Sequence, residues 1–282
     1  MCIDNTNTDM LLGIDIGGTT VNLGLVEGNA IVKKLCVPSF APNASLEETI
    51  DYLAGRIGEI ITPDVTSIGV GVPTLVDADR GIVYDALNIP SWKEVHLKDI
   101  LEERFGIPVS VNNDANCYVL GAAASLNLTN HVTVAVTLGT GTGIGILADG
   151  KLVNGDNCGA GEICSVPYNG KDFESFCSKK FFEANGWGGK EAVAAAKEGD
   201  PKALAFFEEF GHHMGILLSF VMYAYDPGSI VLGGGIANTE PWFRESMMKT
   251  LRQNYIYPHV LERLKVYVLP GEDIPMLGAS LL

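Results

Sequence analysis

One stretch of the chain occurs twice, and this repeat restricts the possible folds more than any other feature of the sequence. Residues 131–155 align with the segment that includes residues 11–29 at a constant offset of 122 positions and without a gap. The matched pairs are Gly17 and Gly139, Thr20 and Thr142, Leu25 and Leu147, Glu27 and Asp149, and Gly28 and Gly150. Each copy has the pattern of an apolar strand, a Gly/Thr loop, a second strand, a hairpin turn and a third strand. The sequence therefore predicts two related halves.

The Gly/Thr loop of each copy connects two strands, which distinguishes it from the common phosphate-binding motifs. A Rossmann or Walker loop leads from a strand into a helix, and neither glycine pattern occurs here in that context. Backbone N–H groups and threonine hydroxyls can donate to phosphate oxygens, so two such hairpins suggest a nucleotide that is held from both sides. The alternative is a pair of ordinary hairpins with glycine turns, which the repetition disfavours.

The rest of the chain alternates strands with helices, as α/β domains do. The predicted strands are residues 67–73, 107–116, 229–235 and 265–269. A capping box of Ser45 and Glu48 starts a helix that continues to Ile61. The other predicted helices are residues 95–105, 201–225, 241–255 and a short terminal helix at 273–282. We expect an N-terminal domain at residues 1–118 and a C-terminal domain at 119–282, with the terminal helix packed back on the first.

Composition disfavours several classes of function. The 282 residues include 19 basic and 34 acidic side chains, and the net charge of −15 would repel a nucleic-acid backbone. The longest apolar stretch, at residues 214–225, is too short to cross a bilayer, and the first ten residues lack the features of a signal peptide. Six scattered cysteines are typical of a reducing cytoplasm. A zinc site built from Cys158, Cys164 and Cys177 is the disfavoured alternative.

Acidic and amide side chains follow two of the predicted strands. Asp114, beside Asn113 at a strand end, could accept a proton from a substrate hydroxyl while Asn113 positions that substrate. An Asx turn that caps a helix near Ala115 is an equally good interpretation. Asp15 precedes the first Gly/Thr loop and could hold Mg²⁺ through water, or could accept backbone N–H groups at its strand end.

Two further segments carry candidate ligand groups. Glu162 and Glu174 lie in a glycine-rich region, where carboxylates could accept hydrogen bonds from sugar hydroxyls or could be solvated loop charges. The glycines of "LGGGIA", residues 232–237, follow a strand, so their backbone could lie flat against an adenine or ribose. Taken alone, the triple glycine is a weak signal.

Six motifs together resemble the ROK family of sugar kinases and sugar-responsive repressors, over nearly the whole chain. They are "GIDIGGTTVNLGLV", "GVGVPTLVD", "VNNDAN", "VTLGTGTGIGILADGKLVNG", "GAGE" and "IVLGGGIA". The resemblance implies the actin-like, hexokinase-type fold, which is related to ribonuclease H: two α/β domains that close over a cleft holding ATP, Mg²⁺ and a hexose. It also implies a homodimer.

The resemblance assigns roles to residues by their place in these motifs. Asp114 matches the general base, and Asp15 matches the carboxylate near Mg²⁺. The expected sugar ligands are Asn88, Asn113, Glu162 and Glu174. The expected nucleotide-binding residues are Asp15, Gly17, Gly18, Thr19 and Thr20 in the first phosphate loop, Gly139, Thr140, Gly141 and Thr142 in the second, and Gly234 and Gly235 at the adenosine.

Three departures from the family pattern affect the expected pocket. Ser165 stands where zinc-binding members have a histidine that touches both sugar and metal, and the cysteine knuckle that normally follows is deleted. Thr74 replaces a glycine after Pro73 and would crowd another edge of the sugar pocket. We therefore expect no structural zinc. Only ten residues precede Leu11, so we also expect none of the DNA-binding helices found in the repressor branch.

The resemblance implies ATP-dependent phosphorylation of a hexose, with glucose and its 6-hydroxyl as the first expectation. The alternatives are a kinase for another sugar, such as an N-acetylhexosamine, fructose or allose, and a protein that senses a sugar or nucleotide without turnover. An ATPase or acid kinase of the same fold is a further alternative, although it would not need two glutamates facing a sugar.

Overall fold

The computed structural model describes residues 9–86, 88–128 and 131–282. The strands are β1 (Met10–Ile16), β2 (Thr20–Glu27), β3 (Ala30–Pro38), β4 (Val65–Val72), β5 (Val76–Asp77), β6 (Ile82–Tyr84), β7 (Glu94–His96), β8 (Val109–Asn113), β9 (Thr133–Leu138), β10 (Thr142–Ala148), β11 (Lys151–Leu152), β12 (Pro167–Tyr168), β13 (Lys171–Asp172), β14 (Ser229–Gly233) and β15 (Lys265–Val268).

The α-helices are α1 (Leu46–Ile60), α2 (Leu97–Phe105), α3 (Asp114–Leu126), α4 (Glu174–Cys177), α5 (Lys179–Ala184), α6 (Gly189–Lys197), α7 (Pro201–Tyr225), α8 (Glu240–Asn254) and α9 (Asp273–Ser280). Short 3₁₀ helices cover Glu162–Ser165, Gly235–Thr239 and Pro258–Glu262. No helix in the described part of the chain combines the length and the apolar character that a membrane crossing requires.

The chain divides into two compact units. The first unit extends to Asn127 and also contains Leu152–Ala160 and Glu272–Leu282, and the second contains Leu128–Lys151 and Gly161–Gly271. The expected boundary after residue 118 falls inside α3, which lies wholly in the first unit. The expected absence of a leader concerns residues 1–10, of which residues 1–8 lie outside the described part.

The first unit is built on a five-stranded sheet in the order β3-β2-β1-β4-β8. Strands β1, β2 and β3 are antiparallel neighbours, whereas β4 and β8 run parallel to β1. Because β1, β4 and β8 are parallel, their carboxyl ends at Ile16, Val72 and Asn113 lie at one edge of the sheet. Ligands of open α/β sheets bind outside this edge.

The second unit contains a sheet of the same design, in the order β11-β10-β9-β14-β15. Strands β9 and β10 are antiparallel, and β14 runs parallel to both β9 and β15. The predicted succession of strand, Gly/Thr loop, strand, turn and strand is confirmed in both copies of the repeat. Each copy therefore places its loop after a central parallel strand.

Local sequence signals account for the ends of several elements. The Ser45 hydroxyl accepts the Glu48 N–H, and the Glu48 carboxylate accepts the Ser45 N–H, so the predicted capping box is confirmed. The long helix predicted at residues 201–225 is confirmed as α7. Helix α2, in contrast, begins at Leu97 rather than at residue 95, because Glu94–His96 pair with β6 as strand β7.

Helix α9 packs in the first unit at backbone distance from β1, β4 and α3. A Cβ built on Gly278 of α9 would lie 1.6 Å from the Cys117 carbonyl oxygen in α3. On β1, a Cβ on Gly13 would lie 1.9 Å from the Met276 oxygen, and on β4 a Cβ on Gly69 would lie 1.7 Å from the Ala279 oxygen. Glycine is thus required wherever α9 crosses these elements, because backbone atoms cannot rotate away.

Candidate active site

The first Gly/Thr loop, residues 17–19, has backbone N–H groups that make no hydrogen bond among the described residues. The Gly17 N–H donates to the Thr20 carbonyl at 2.9 Å, and Ser39 donates its hydroxyl to the Gly17 carbonyl and its N–H to the Thr19 carbonyl, both at 2.8 Å. Gly18 and Thr19 are exposed, and their N–H groups have no acceptor among the described residues. The loop therefore has the Gly17 and Thr19 carbonyls engaged and two amides open, as an anion-binding turn requires.

The second loop, residues 139–141, has its carbonyls engaged in a similar way. The Gly139 N–H donates to the Gly141 carbonyl, and the Lys179 N–H donates to the Gly139 carbonyl, both at 2.9 Å. The Thr140 and Gly141 N–H groups have no acceptor within the described ranges. The Thr142 hydroxyl, expected to face a phosphate, donates instead to the Cys177 carbonyl at 2.8 Å.

A side chain from the same unit lies on this second loop. The Thr142 N–H donates to Glu174 Oε2 at 3.3 Å, and Lys180 donates to the other oxygen of the same carboxylate. A Cβ on Gly141 would lie 2.5 Å from Glu174 Oε2, so the carboxylate covers the bare Cα of that glycine. The hydrogen bond to Glu174 raises the pKa of Lys180 above its usual range and keeps the amine charged.

Asp15 is a partly buried carboxylate near the end of β1. Its Oδ2 accepts a hydrogen bond from Asn22 Nδ2 at 3.3 Å, and no lysine or arginine pairs with it among the described residues. Burial raises the pKa of Asp15 from 3.8 to about 6, while the Asn22 hydrogen bond opposes that rise. Such a carboxylate, desolvated and without a cationic partner, would gain from a bound cation.

Replacing Asp15 with asparagine should stabilise the fold at neutral pH. Because folding raises the pKa of Asp15, its carboxyl group contributes most to the free energy of unfolding below pH 4. This contribution is lost as the pH rises through about 6. The neutral amide escapes this loss, so the unfolding free energy of Asp15→Asn should exceed that of wild type by about 2 kcal/mol at pH 8, with little difference at pH 4. Urea unfolding across that pH range in EDTA measures it. The exposed Asp79→Asn variant is the control, and a difference independent of pH would contradict the expectation.

Asn113 and Asp114 lie at the junction of β8 and α3. The Ala115 N–H is shared between Asn113 Oδ1 at 2.9 Å and Asp114 Oδ1 at 2.8 Å, so Asn113 caps the helix as the Asx alternative proposed. Asn113 Nδ2 also donates to the Thr74 carbonyl at 3.1 Å. These bonds fix the orientation of the Asn113 amide, which keeps one donor and one acceptor site for a ligand.

Asp15 and Asp114 both lie close enough to Cys117 for their charges to act on its thiol. Burial raises the pKa of the Cys117 thiol well above its usual range, and the charges of Asp15 and Asp114 raise it further. A Cβ on Gly71, which pairs with Asp15 in the sheet, would lie 3.0 Å from Cys117 Sγ. Two of the predicted site carboxylates are therefore brought together at the carboxyl edge of the first sheet, around an inert thiol.

Glu162 and Glu174, the two glutamates predicted to bind the sugar, both lie near Cys164 in the second unit. Burial raises the pKa of the Cys164 thiol, and the charges of Glu174 and Glu162 add to that effect in this order. Glu162 begins the 3₁₀ helix Glu162–Ser165 and is exposed, as is Ser165. Gly161 sets the position of this turn, because its φ is +98° and a Cβ would lie 2.2 Å from the Ile144 oxygen.

The remaining sugar-side candidates, Asn88 and Thr74, lie in the first unit. The Asn88 side chain lies over Gly18 of the first loop, where a Cβ would be 3.3 Å from Asn88 Nδ2. The Thr74 hydroxyl donates to the Tyr84 carbonyl at 2.7 Å. This hydrogen bond connects the segment that precedes β5 with strand β6. Asn88 is thus placed beside a predicted phosphate loop, while the Thr74 hydroxyl already has a backbone acceptor.

Gly234 follows β14 and packs against the backbone of Leu138, next to the second loop. Its φ is +78°, and a Cβ there would lie 2.4 Å from the Leu138 oxygen, one residue before Gly139. Gly235 is exposed, and its α-carbon faces open space. A flat surface that a planar ligand could cover therefore adjoins the second loop.

Four residues that contribute to these arrangements, Ser39, Cys117, Asn154 and Lys180, were not predicted from the sequence. Ser39 donates hydrogen bonds to the first loop, and Lys180 pairs with the carboxylate on the second. Cys117 lies near both Asp15 and Asp114. Asn154 Oδ1 accepts from both Asn112 and Asn116 at 3.2 Å, which ties residues 152–160 to both sides of the Asn113–Asp114 pair. Only the asparagines in "VNNDAN" gave a signal for this network. The described residues contain no group of three or more His, Cys, Asp or Glu side chains arranged to hold a metal ion.

Comparison with known proteins connects this geometry to one family. Residues 11–282 match the sequence model of the ROK family. A glucokinase from Thermotoga maritima is 29% identical, over 96% of this chain and 96% of that enzyme. N-acetyl-D-glucosamine kinase from Vibrio cholerae is 30% identical, over 84% of this chain and 87% of that one.

The fold has a similar match among solved structures. A ROK family glucokinase from Streptomyces griseus, crystallised in complex with glucose and AMPPNP, matches with a TM-score of 0.80 at 27% identity, over 96% of this chain and 98% of that one. The predicted actin-like, two-domain α/β fold is thereby confirmed. On the match of 272 consecutive residues, from 11 to 282, this chain belongs to the ROK family.

Proposed function

We propose that the protein is an ATP-dependent sugar kinase that phosphorylates a hexose, with glucose and its 6-hydroxyl as the expected acceptor. The observation that carries the proposal is the pair of repeated loops, each of which has two carbonyls engaged and two backbone N–H groups without an acceptor among the described residues. Such loops suit phosphate oxygens. Membership of the ROK family and the similarity to two glucokinases support a sugar as the phosphate acceptor.

Each loop has a defined task in this proposal. The proposed phosphate-binding residues are Gly17, Gly18, Thr19 and Thr20 in one loop and Gly139, Thr140, Gly141 and Thr142 in the other. Gly18, Thr19, Thr140 and Gly141 donate their open backbone N–H groups to the phosphates of ATP, whereas the N–H groups of Gly17 and Gly139 close the turns. Gly234 and Gly235 offer their bare surface to the adenosine. Asn113 holds the sugar with its remaining donor and acceptor sites, and Asp114 accepts the proton of the attacking hydroxyl. A loose phosphoryl transition state needs this proton acceptor only late.

Mg²⁺ fits Asp15, whose desolvated carboxylate has no cationic partner among the described residues. The ion prefers oxygen ligands and retains part of its water shell, so the contact would run through water. When bound there, Mg²⁺ would supply positive charge to the phosphates. Asp15 would hold the ion, and the hydrogen bond from Asn22 Nδ2 orients the Asp15 carboxylate.

Asn88, Glu162 and Glu174 are proposed as ligands of the sugar hydroxyl groups, and Thr74 and Ser165 as residues that influence which sugar is accepted. Serine is smaller than the histidine that zinc-binding family members have at position 165. The extra space favours N-acetylglucosamine as a second candidate acceptor, and the similarity to the Vibrio cholerae enzyme agrees with it.

A panel of sugars tests the proposal. Glucose, N-acetylglucosamine, N-acetylmannosamine, fructose and allose are each incubated with the protein, ATP and Mg²⁺, and ADP release is followed by a coupled assay. We expect ADP release with glucose at least tenfold above the rate without sugar. Turnover of no sugar, with nucleotide binding intact, would favour the sensing alternative, and ADP release independent of sugar would favour an ATPase.

We further propose a homodimer in the cytoplasm, where ATP is available and thiols stay reduced. An exposed apolar patch in the second unit supports a self-interface: Ile256 and Tyr257 are 68% and 53% exposed, and Tyr223 beside them is 51% exposed. Light scattering after size-exclusion chromatography should give twice the mass of one chain. A mass equal to one chain at micromolar concentration would contradict the dimer.

A further inference from the structure

A carboxylate of the protein itself occupies the second Gly/Thr loop. Glu174 Oε2 accepts the Thr142 N–H at 3.3 Å and covers the bare α-carbon of Gly141. Oxygens of a nucleotide phosphate would bind the same amide through the same kind of hydrogen bond. Glu174 is therefore an internal anion at the position assigned to an external one.

Lys180 balances the charge of this internal anion. Its amine donates to Glu174 Oε1, and its own side chain is about half exposed at the start of α5. The neighbouring Lys179 has a different partner, Glu183, with 2.9 Å between the charged atoms. Of these two lysines, only Lys180 reaches the loop-bound carboxylate.

A triphosphate and the Glu174 carboxylate cannot share this loop. Both are anions, and both need the Thr142 amide and the space over Gly141. Like charges at hydrogen-bond distances repel strongly in a partly desolvated site. Lys180, in contrast, would gain a more highly charged partner when phosphate replaces the carboxylate, because its flexible stem lets the amine follow the new anion.

We propose that Glu174 and ATP exchange on the second loop, and that Lys180 is a phosphate-binding residue released by this exchange. In the ligand-free protein Glu174 occupies the loop and Lys180 pairs with it. ATP displaces the carboxylate, Lys180 transfers to a phosphate oxygen, and Glu174 becomes free to accept sugar hydroxyls. The inference rests on the proposed function, because it assigns the second loop to phosphate.

The exchange couples the two substrates. A nucleotide that removes Glu174 from the loop makes one more sugar ligand available, and a sugar that engages Glu174 clears the loop for phosphate. Linkage requires the two effects to be equal in size. Neither substrate needs to contact the other for this coupling to operate.

Binding of ATP without sugar tests the exchange, with isothermal titration calorimetry in Mg²⁺ as the measurement. Lys180→Ala should weaken ATP binding about tenfold, the size of one charge-assisted contact, and Lys180→Arg should restore most of it. Glu174→Gln should change affinity in the opposite direction and tighten ATP binding about threefold to tenfold, because it removes the competing charge. Lys179→Ala, the matched control, should stay within about twofold of wild type.

A double variant separates direct phosphate binding from simple neutralisation of Glu174. If Lys180 binds phosphate, adding Lys180→Ala to Glu174→Gln should still weaken ATP binding about tenfold. If Lys180 only neutralises Glu174, that addition should have no effect, and the proposal is overturned. Adenosine, which carries no phosphate, should bind all variants equally. Thermal unfolding confirms that each variant is folded.

Two further outcomes would overturn the exchange: wild-type ATP affinity in Lys180→Ala, or ATP affinity in Glu174→Gln that is unchanged or weaker. These results are distinguishable from failure of the proposed function. A protein without sugar kinase activity would fail the sugar panel and could still show every nucleotide-binding change described above.

Discussion

Asp114→Asn should lower kcat for sugar phosphorylation by a factor of about 10²–10⁴, the usual contribution of a general base. The amide keeps the shape of the carboxylate and can still accept the Ala115 N–H, but it cannot take a proton from the sugar hydroxyl. ATP affinity should stay within about threefold of wild type, because the phosphate contacts are assigned to other residues. Steady-state kinetics and calorimetric ATP binding on the same preparation measure both effects.

The control for this substitution is Asp99→Asn. Asp99 is an exposed aspartate in the first turn of α2 in the same unit, so the chemical change and the helix position are matched. Its kcat should equal that of wild type, and each variant should lose less than about 1 kcal/mol of folding free energy. Full turnover by Asp114→Asn would remove Asp114 from the role of base.

Gly278→Ala should destabilise the protein by about 3 kcal/mol or more, or prevent folding. The added methyl group would lie 1.6 Å from the Cys117 carbonyl oxygen, and no side-chain rotation relieves a clash with backbone. Helix α9 would have to move away from α3, and the same movement would open its contacts over Gly13 and Gly69. Thermal unfolding or, for a variant that does not fold, the soluble yield measures the loss.

Gly58→Ala is the matched control with the opposite expected sign. Gly58 lies on the exposed side of α1, and a Cβ there meets nothing within 4 Å. Alanine should therefore stabilise α1 by about 0.5–1 kcal/mol through helix propensity and chain entropy. A Gly278→Ala variant as stable as Gly58→Ala would show that α9 does not pack against α3 at this distance.

The fold was largely predictable because its signals are local. Alternating apolar residues and turn glycines gave both copies of the repeat, and the Ser45–Glu48 capping box gave the start of α1. The strands β5–β7 and the helices α4–α6 were not predicted. Their segments are short, and the two-residue and three-residue strands are formed by pairing with other segments rather than by their own pattern.

The residues of the candidate site stay predictions, and the contacts that the structure gives them were not predicted. Glu174 was predicted as a sugar ligand, and nothing in the sequence indicated that it accepts a hydrogen bond from Thr142, 32 residues earlier in the chain. No pattern along the sequence specifies such a partner. Lys180 was missed for the same reason, since a lysine at the start of a helix gives no sign of the carboxylate that it pairs with.

By itself, the sequence determined the repeated strands and glycine loops, the longer helices, and that the chain has two related halves, because these properties depend on residues a few positions apart. Only the tertiary structure decided that Asn154 returns to Asn112 and Asn116, that α9 lies on Gly13 and Gly69, and that Glu174 sits on the loop of Thr142. Each of these contacts joins residues that are far apart in the chain. The packing of whole sheets and helices decides which residues meet in such a contact, and no local pattern of residues encodes that packing.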